Sequence, residues 1–261
     1  MEIPFFQVDA FAETAFSGNP AGVCLLEKWL DADVMQNIAQ ENNLAETAFL
    51  VKDKDAWEIR WFTPEVEVDL CGHATLASAF VLFNEVKISA KAIKFMSLKS
   101  GELNVSKKHD LLTLDFPTDK YNEAKLEDKY IKALGGTPQE IYRGKTDYLI
   151  ILKSQEELEN LRPDFATLKK CDGRGLIVSA KGKNVDFVSR FFGPQVGIDE
   201  DPVTGSAHTT LTPYWSDKLN KTTLSAMQLS KRQGHLTCTY KGDRVEISGR
   251  GKLFLRGQLF I

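Results

Sequence analysis

Four places in the chain carry residue types that could move a proton or hold an anion. Glu46 is the first. It lies in Ala45 to Lys52, a stretch that reads as a strand. Successive strand side chains point to opposite faces, so Glu46 shares a face with Ala48 and Leu50. A carboxylate in partly apolar surroundings is harder to ionise, and the resulting upward pull on its pKa suits general acid–base work. The same position also reads as a solvated glutamate at a strand start, or as one in a capping arrangement with Asn43. The second place is Asp69-Leu70-Cys71-Gly72-His73-Ala74-Thr75, where a glycine opens a helix. The first N–H groups of a helix have no intrahelical partner and form an anion site. His73 there could donate a hydrogen bond or carry a proton, or could simply be a capping or core histidine. Cys71 reads either as a low-pKa thiol beside a helix start or as a small core residue. The third place is Asp199-Glu200-Asp201-Pro202-Val203-Thr204-Gly205-Ser206-Ala207-His208. Its acidic residues would complement a helix dipole, and Gly205-Ser206 repeats the placement of Gly72-His73. The fourth, Gly18-Asn19-Pro20, is a turn signal whose Asn19 could reach the same site.

The second and third places belong to an internal repeat. Residues 60–69 line up without a gap on residues 190–199, an offset of 190 − 60 = 130, and five of the ten positions are identical. Solenoid repeats are shorter, roughly 20–50 residues. A repeat of half the chain predicts two similar lobes facing each other across a cleft, where small-molecule sites tend to form. Two helix starts brought to such a cleft would hold a carboxylate and stabilise the enolate-like charge left when a neighbouring C–H bond breaks.

The elements needed to position these residues are legible in outline. Strands are predicted at Phe5 to Ala12, Ala21 to Leu26, Ala45 to Lys52 and Trp57 to Phe62. A helix is predicted over residues 31–41, with Val34, Ile38 and Ala39 on one face and Asn42-Asn43 as its stop. From Gly72 to Phe83 the pattern is apolar almost all round, which predicts a helix buried on every side, enclosed by a curved sheet. In the second half, strands are predicted at Tyr148 to Leu152, Gly175 to Ala180 and Val185 to Phe192. A helix is predicted from Gly205 to about Leu219, with closing strands at Leu236 to Tyr240, Arg244 to Ser248 and Lys252 to Phe260. The polar stretch from Pro117 to Lys145, with Gly135-Gly136, marks the lobe boundary. The fold class is therefore α+β: two pseudo-twofold-related lobes, each a curved, barrel-like, mostly antiparallel sheet around a central helix. Residues 1–116 form the first lobe and 117–249 the second, with the active site in the cleft.

Composition narrows the function. A net charge of −3 supplies no basic field for nucleic acid, and no apolar run approaches the ~20 residues of a membrane span. Four widely spaced cysteines without a C-x-x-C pair read as free thiols in a reducing compartment. With no apolar signal segment at the start, the expected location is the cytoplasm. There is no G-x-G-x-x-G, phosphate loop, H-E-x-x-H or G-x-S-x-G. The expected chemistry is side-chain acid–base work with no cofactor and no metal.

Five segments in order resemble the PhzF family of phenazine-biosynthesis-like isomerases, which share the diaminopimelate epimerase fold. They are Asp9-Ala10-Phe11 with Gly18-Asn19-Pro20-Ala21, Asn43 to Phe49, Arg60-Trp61-Phe62-Thr63-Pro64, Cys71-Gly72-His73-Ala74-Thr75, and Asp201 to Ala207. The resemblance implies that Glu46 is the acid/base that moves a proton on carbon, with His73, Asp201 and Ser206 flanking the substrate. Gly72, Gly205 and Ser206 would bind its acidic group, and Asn19 is a further candidate contact. It also implies that the C-terminal strand, 250–261, crosses back to the first lobe, and it suggests a homodimer. Related epimerases use one cysteine from each lobe. Cys71 stands where the first would be, but Asp201-Pro202-Val203-Thr204-Gly205 has no cysteine, so a two-thiol mechanism is not available. The main expectation is a cofactor-independent isomerase acting on a small carboxylate. The alternatives are a one-sided epimerase or racemase of an amino-acid derivative using Cys71, and a non-catalytic small-molecule-binding protein of the same fold.

Overall fold

A computed structural model describes residues 1–261. The chain divides into two units, Met1–Asp115 with Ser248–Ile261, and Phe116–Ile247. In the first unit the strands are β1 (Glu2–Ala10), β2 (Asn19–Leu26), β3 (Glu46–Asp53), β4 (Ala56–Phe62), the short β5 (Glu67–Val68), β6 (Ala92–Ser97), β7 (Gly101–Lys108) and β8 (Leu111–Pro117). The C-terminal strand Gly251–Phe260 joins them at β1. Neighbouring strands are antiparallel except at β2–β3 and β4–β6. Parallel neighbours need a crossover, and two helices supply it: α1 (Ala32–Asn42) between β2 and β3, and α2 (Gly72–Asn84) between β5 and β6. Met35 joins Ile38 and Ala39 as the fully buried face of α1, where the sequence pattern gave Val34. The helix stops where expected, at Asn43, whose left-handed backbone returns its N–H to the Ala39 carbonyl at 3.1 Å.

Helix α2 is the centre of this unit. Its residues from His73 to Phe83 are buried except Phe80, and it packs against β1, β2, β3, β7 and the C-terminal strand. Its buried hydroxyls are satisfied by the helix itself: Thr75 Oγ1 donates to the Cys71 carbonyl at 2.6 Å and Ser78 Oγ to that of Ala74 at 2.7 Å. Residues 92–117, left without assigned strands by the sequence pattern, form β6 to β8. There the burial alternates, with Ile93, Phe95, Val105, Leu112 and Leu114 facing inward.

The second unit repeats the order. Its main elements are β9 (Asn122–Glu123), α3 (Asp128–Leu134), β10 (Glu140–Arg143), β11 (Asp147–Ile151), α4 (Gln155–Glu159), α5 (Phe165–Leu168), β12 (Gly175–Lys181) and β13 (Phe187–Gly193). They continue with β14 (Ile198–Asp201), α6 (Ala207–Leu219), β15 (Thr223–Gln228), β16 (Gly234–Tyr240) and β17 (Arg244–Gly249). Parallel β11–β12, antiparallel β12–β13, parallel β13–β15 and antiparallel β15–β16 match β2–β3, β3–β4, β4–β6 and β6–β7. One ion pair recurs with them. Arg60 Nε lies 2.7 Å from Glu67 Oε1 and its Nη2 2.8 Å from Oε2; Arg190 makes the same fork to Glu200 at 2.7 and 2.9 Å. Each guanidinium also lies over a phenyl ring two residues on, Phe62 or Phe192.

Three expectations change. The repeat is not ungapped: a short 3₁₀ turn, Pro194–Val196, inserts three residues. Beyond it the offset is 133, pairing Glu67 with Glu200 and Gly72 with Gly205 (205 − 72). The second helix starts at Ala207, not Gly205, because the carbonyls of Gly205 and Ser206 accept tighter bonds from the N–H groups of His208 and Thr209, at 3.0 and 3.1 Å. Chain order set Lys252 to Phe260 among the closing strands of the second lobe, but that strand pairs with β1, Glu2 opposite Phe260 and Ala10 opposite Gly251. No helix is long and apolar enough to cross a membrane.

Leu76 of α2 and Leu211 of α6 are wholly buried, whereas Leu98 is 87% exposed. Leu76→Ala and Leu211→Ala are each expected to lower unfolding free energy by about 2–5 kcal/mol. Leu98→Ala is expected to change it by less than about 0.5 kcal/mol. Urea titration checks all three, and a Leu76→Ala protein as stable as the parent would contradict the central place given to α2.

Candidate active site

In the first unit, three segments bring their polar residues to the start of α2. Gly18 turns the chain into β2 with φ +71°, and a Cβ there would meet the Ala10 carbonyl oxygen at 2.2 Å, so no other residue fits. That turn delivers Asn19, wholly buried, with Nδ2 3.3 Å from His73 Nδ1. Strand β3 begins at Glu46, in parallel register with Ala21 of β2. The Glu46 side chain is 13% exposed, and its Oε2 lies 3.2 Å from His73 Nε2. Cys71, the residue preceding α2, sets its Sγ 3.4 Å from His73 Nδ1.

These contacts define the imidazole. Nδ1 faces the Asn19 amide and the Cys71 thiol, both donors, so it acts as acceptor and the ring proton sits on Nε2, towards Glu46. Burial pushes the His73 pKa down to about 3. The Glu46–His73 contact is therefore carboxylate against neutral imidazole, not an ion pair.

Ligand atoms of Glu46, Cys71 and His73 lie within 4.8 Å of one another, the spread of a divalent-metal site. The contacts divide them between two ring nitrogens, however. The sulfur sits at Nδ1 and the carboxylate at Nε2, whereas one ion takes a single nitrogen of a given imidazole. The donor types suit zinc; their placement does not converge on one ion. A cavity of about 320 Å³, lined by Phe80, Asn84, Lys107 and Arg250 among others, includes none of these residues.

In the second unit, Asp201 ends β14, and Gly205 and Ser206 lead into α6. The turn between them is held from inside. Thr204 Oγ1 donates to Asp201 Oδ2. The wholly buried Gln228 donates from Nε2 to the Asp201 carbonyl at 2.8 Å and to Thr204 Oγ1 at 3.2 Å, while its Oε1 accepts the Thr204 N–H at 2.9 Å. His208 Nδ1 bonds the Thr204 carbonyl at 2.9 Å, the counterpart of the Thr75–Cys71 bond in α2. Ser206 Oγ accepts from Arg174 Nη2 at 2.9 Å. The structure thus groups Asn19, Glu46, Cys71, Gly72 and His73 in one unit and Asp201, Gly205 and Ser206 in the other. Sequence reasoning missed Gln228, Asp147 and Arg174. The signal for Arg174 was its place between two glycines, Gly173 and Gly175, at the start of a strand aligned with that of Glu46.

Comparison with known proteins follows this geometry. The family model described as phenazine biosynthesis-like protein (PhzC-PhzF) matches residues 8–257. An uncharacterized isomerase of Pseudomonas aeruginosa is 48% identical over 261 residues, all of both chains. The crystal structure of a phenazine biosynthesis protein of the PhzF family from Enterococcus faecalis superposes with a TM-score of 0.97 at 52% identity, covering 100% of each chain. A hydroxyproline epimerase from Agrobacterium vitis, at 10% identity and TM-score 0.62 over 99% of this chain and 92% of its own, shares the fold.

The buried histidines make stability depend on pH. Burial holds His73 down to about 3 and His208 to about 4, against 6.5 for a free imidazole. Below 6.5 the unfolded chain binds protons that the native chain refuses. Stability is therefore full above that pH and falls as pH drops through the window down to those values, by up to ~1.4 kcal/mol per pH unit for each histidine. Between roughly pH 7 and pH 5, His73→Gln is expected to lose about 2 kcal/mol less than the parent. Identical pH responses of the two proteins in urea unfolding would show that His73 is not held neutral.

Proposed function

The chain belongs to the phenazine biosynthesis-like (PhzF) family, and on that premise we propose that it is an isomerase moving a proton between carbons of a small carboxylate, without metal or organic cofactor. The observation that carries the reading is the contact of the half-buried Glu46 carboxylate with a neutral, buried imidazole. A carboxylate largely out of water is a stronger base towards carbon than a hydrated one. Glu46 takes a proton from a carbon beside the substrate's carboxylate or unsaturated system. The C–H electron pair moves into that system, the proton held on Glu46 exchanges with solvent, and Glu46 delivers a proton to a different carbon. Neutral His73 turns its Nε2–H towards the Glu46 oxygens and keeps that proton throughout, and Asn19 keeps the ring oriented. Asp201, fixed by Thr204 and Gln228, is assigned to proton relay. Gly72, Gly205 and Ser206 are assigned to the acidic group, through the unpaired N–H groups at the starts of α2 and α6.

A second reading rests on the 3.4 Å contact of Cys71 Sγ with His73 Nδ1, which offers the thiol an acceptor for its proton. In that case Cys71 is one base of a one-sided epimerase. Mass spectrometry of small carboxylates incubated in deuterated water separates the readings. Glu46→Gln is expected to cut deuterium incorporation by about 10²–10⁴-fold, while Cys71→Ala retains it. The opposite pattern transfers the role to Cys71, and full incorporation by Glu46→Gln removes the carboxylate from the chemistry. Dialysis of the wild-type protein against EDTA is expected to leave incorporation unchanged; a loss restored by zinc would assign a metal to the Glu46, Cys71 and His73 cluster.

A further inference from the structure

The duplicated scaffold makes it possible to ask what stands in the second unit where Glu46 stands in the first. Thr47 of β3 pairs with Phe62, and Leu176 of β12 pairs with Phe192. Phe62 and Phe192 are repeat equivalents, so Glu46 corresponds to Gly175 and Ala45 to Arg174. Gly72-His73 corresponds to Gly205-Ser206. At the start of this strand the first unit sets Glu46 against His73. The second sets Arg174, one residue earlier, against Ser206, with Nη2 2.9 Å from Oγ.

Arg174 is rigidly held. Its Nε donates to Asp147 Oδ1 at 2.9 Å, and Nη2 donates to Asp147 Oδ2, a fork to a carboxylate that is itself buried. The guanidinium lies over the Phe191 ring, 5.2 Å from its centroid. Gly173, at φ +88°, admits the approach, since a Cβ there would meet Arg143 Nη2 and the Thr146 carbonyl at 2.7 Å. About a third of the Arg174 side chain remains exposed, and its Nη1 has no acceptor within the chain.

Asp147 already matches the charge of Arg174, and the carboxylates of Asp201 and Asp119 lie within its electrostatic reach. The pair contributes direction rather than net positive charge. A serine hydroxyl has one hydrogen and two lone pairs. With one lone pair filled by Arg174, the hydroxyl hydrogen is turned outward. The geometry points to Arg174 as the positioning residue that, braced by Asp147, fixes Ser206 as an outward donor beside the free Nη1, so that this end of α6 selects a ligand presenting a carboxylate rather than its neutral amide. The inference rests on the isomerase reading for Ser206 as a substrate contact, and it adds the selectivity of that contact and its cause.

The test uses benzoate and benzamide, which share shape but differ in charge and in the presence of amide donors, with affinities measured by ligand-observed NMR on the intact protein. Wild type is expected to favour benzoate by about tenfold, as a charge-assisted hydrogen bond exceeds a neutral one. Arg174→Gln combined with Asp147→Asn removes both charges without orphaning either buried partner. It is expected to unfold at the wild-type temperature and to bring the preference to about twofold or less, with benzamide affinity unchanged. Arg174→Lys keeps a cation but not the fork and is expected to fall between. A full preference in both variants overturns the inference, as does a wild type that binds neither probe or does not distinguish them. Glu46→Gln is expected to keep the preference while losing deuterium incorporation, so failure of the proton-transfer chemistry and failure of the Arg174 role read out separately.

Discussion

The structure depends first on the burial of α2. A helix with no polar face can be stable only when covered on all sides, and here the sheet of the first unit covers it. Everything proposed for the chemistry follows from one polar side chain carried on that helix. His73 cannot turn towards water without withdrawing Leu76, Ala77 and their neighbours from a packed core. Its Nδ1 is met by Asn19 and Cys71, and its Nε2 lies 3.2 Å from a Glu46 oxygen, so three separate segments of the chain surround the ring. The cost of placing a charge in such surroundings keeps the ring neutral. Core packing thus sets the tautomer and its orientation as well as the position.

Duplication explains how one framework comes to carry two kinds of polar group. The bonds that hold the framework recur: the Arg60–Glu67 and Arg190–Glu200 forks, and the side chain of the fourth residue after Cys71 or Thr204 bonded back to its carbonyl. The positions that face outward from the helix starts do not recur. Glu46, Cys71 and His73 in the first unit are titratable; Gly175, Thr204 and Ser206 at the matching positions are not. The only strong charge near Ser206 that comes from the equivalent strand start is Arg174, and it is compensated by Asp147. At these matched positions the first unit carries groups that can change protonation and the second carries none; the titratable Asp201 of the second unit stands where the first has Val68.

Local patterns were legible in the sequence to the extent that local physics determines them. The absence of a polar face revealed α2, the polar turn Asp53-Lys54-Asp55 separated the runs of β3 and β4, and Asn43 marked the end of α1. The repeat was visible because the framework bonds need Arg, an aromatic ring and Pro at fixed spacing. The inserted 3₁₀ turn was not visible, since Val66/Val196 and Asp69/Asp199 match by residue type although their strands pair in a different register. The partner of the C-terminal strand is separated from it by almost the whole chain, and no periodicity encodes such a pairing. Arg174 was hidden for a related reason. A lone arginine between glycines reads as a surface turn until Asp147, brought alongside by parallel pairing of β11 with β12, is seen to be buried beneath it.

The same burial weighs one candidate base against another. Three of the four cysteines are thiols whose pKa is driven up by burial: Cys171 to about 11, Cys238 to about 12 and Cys24 further still. Cys71 differs in having an imidazole nitrogen at 3.4 Å. A cysteine activated by histidine works as thiolate with imidazolium, which requires the ring to accept and keep a proton. A ring held down to about 3 is a poor receiver for it, and its Nδ1 is already shared with the Asn19 amide. Glu46 needs no such partner, because it carries its own basic oxygen and asks of His73 only the Nε2–H that a neutral imidazole presents 3.2 Å away. The environment that makes His73 useful to the carboxylate is the one that makes it useless to the thiol.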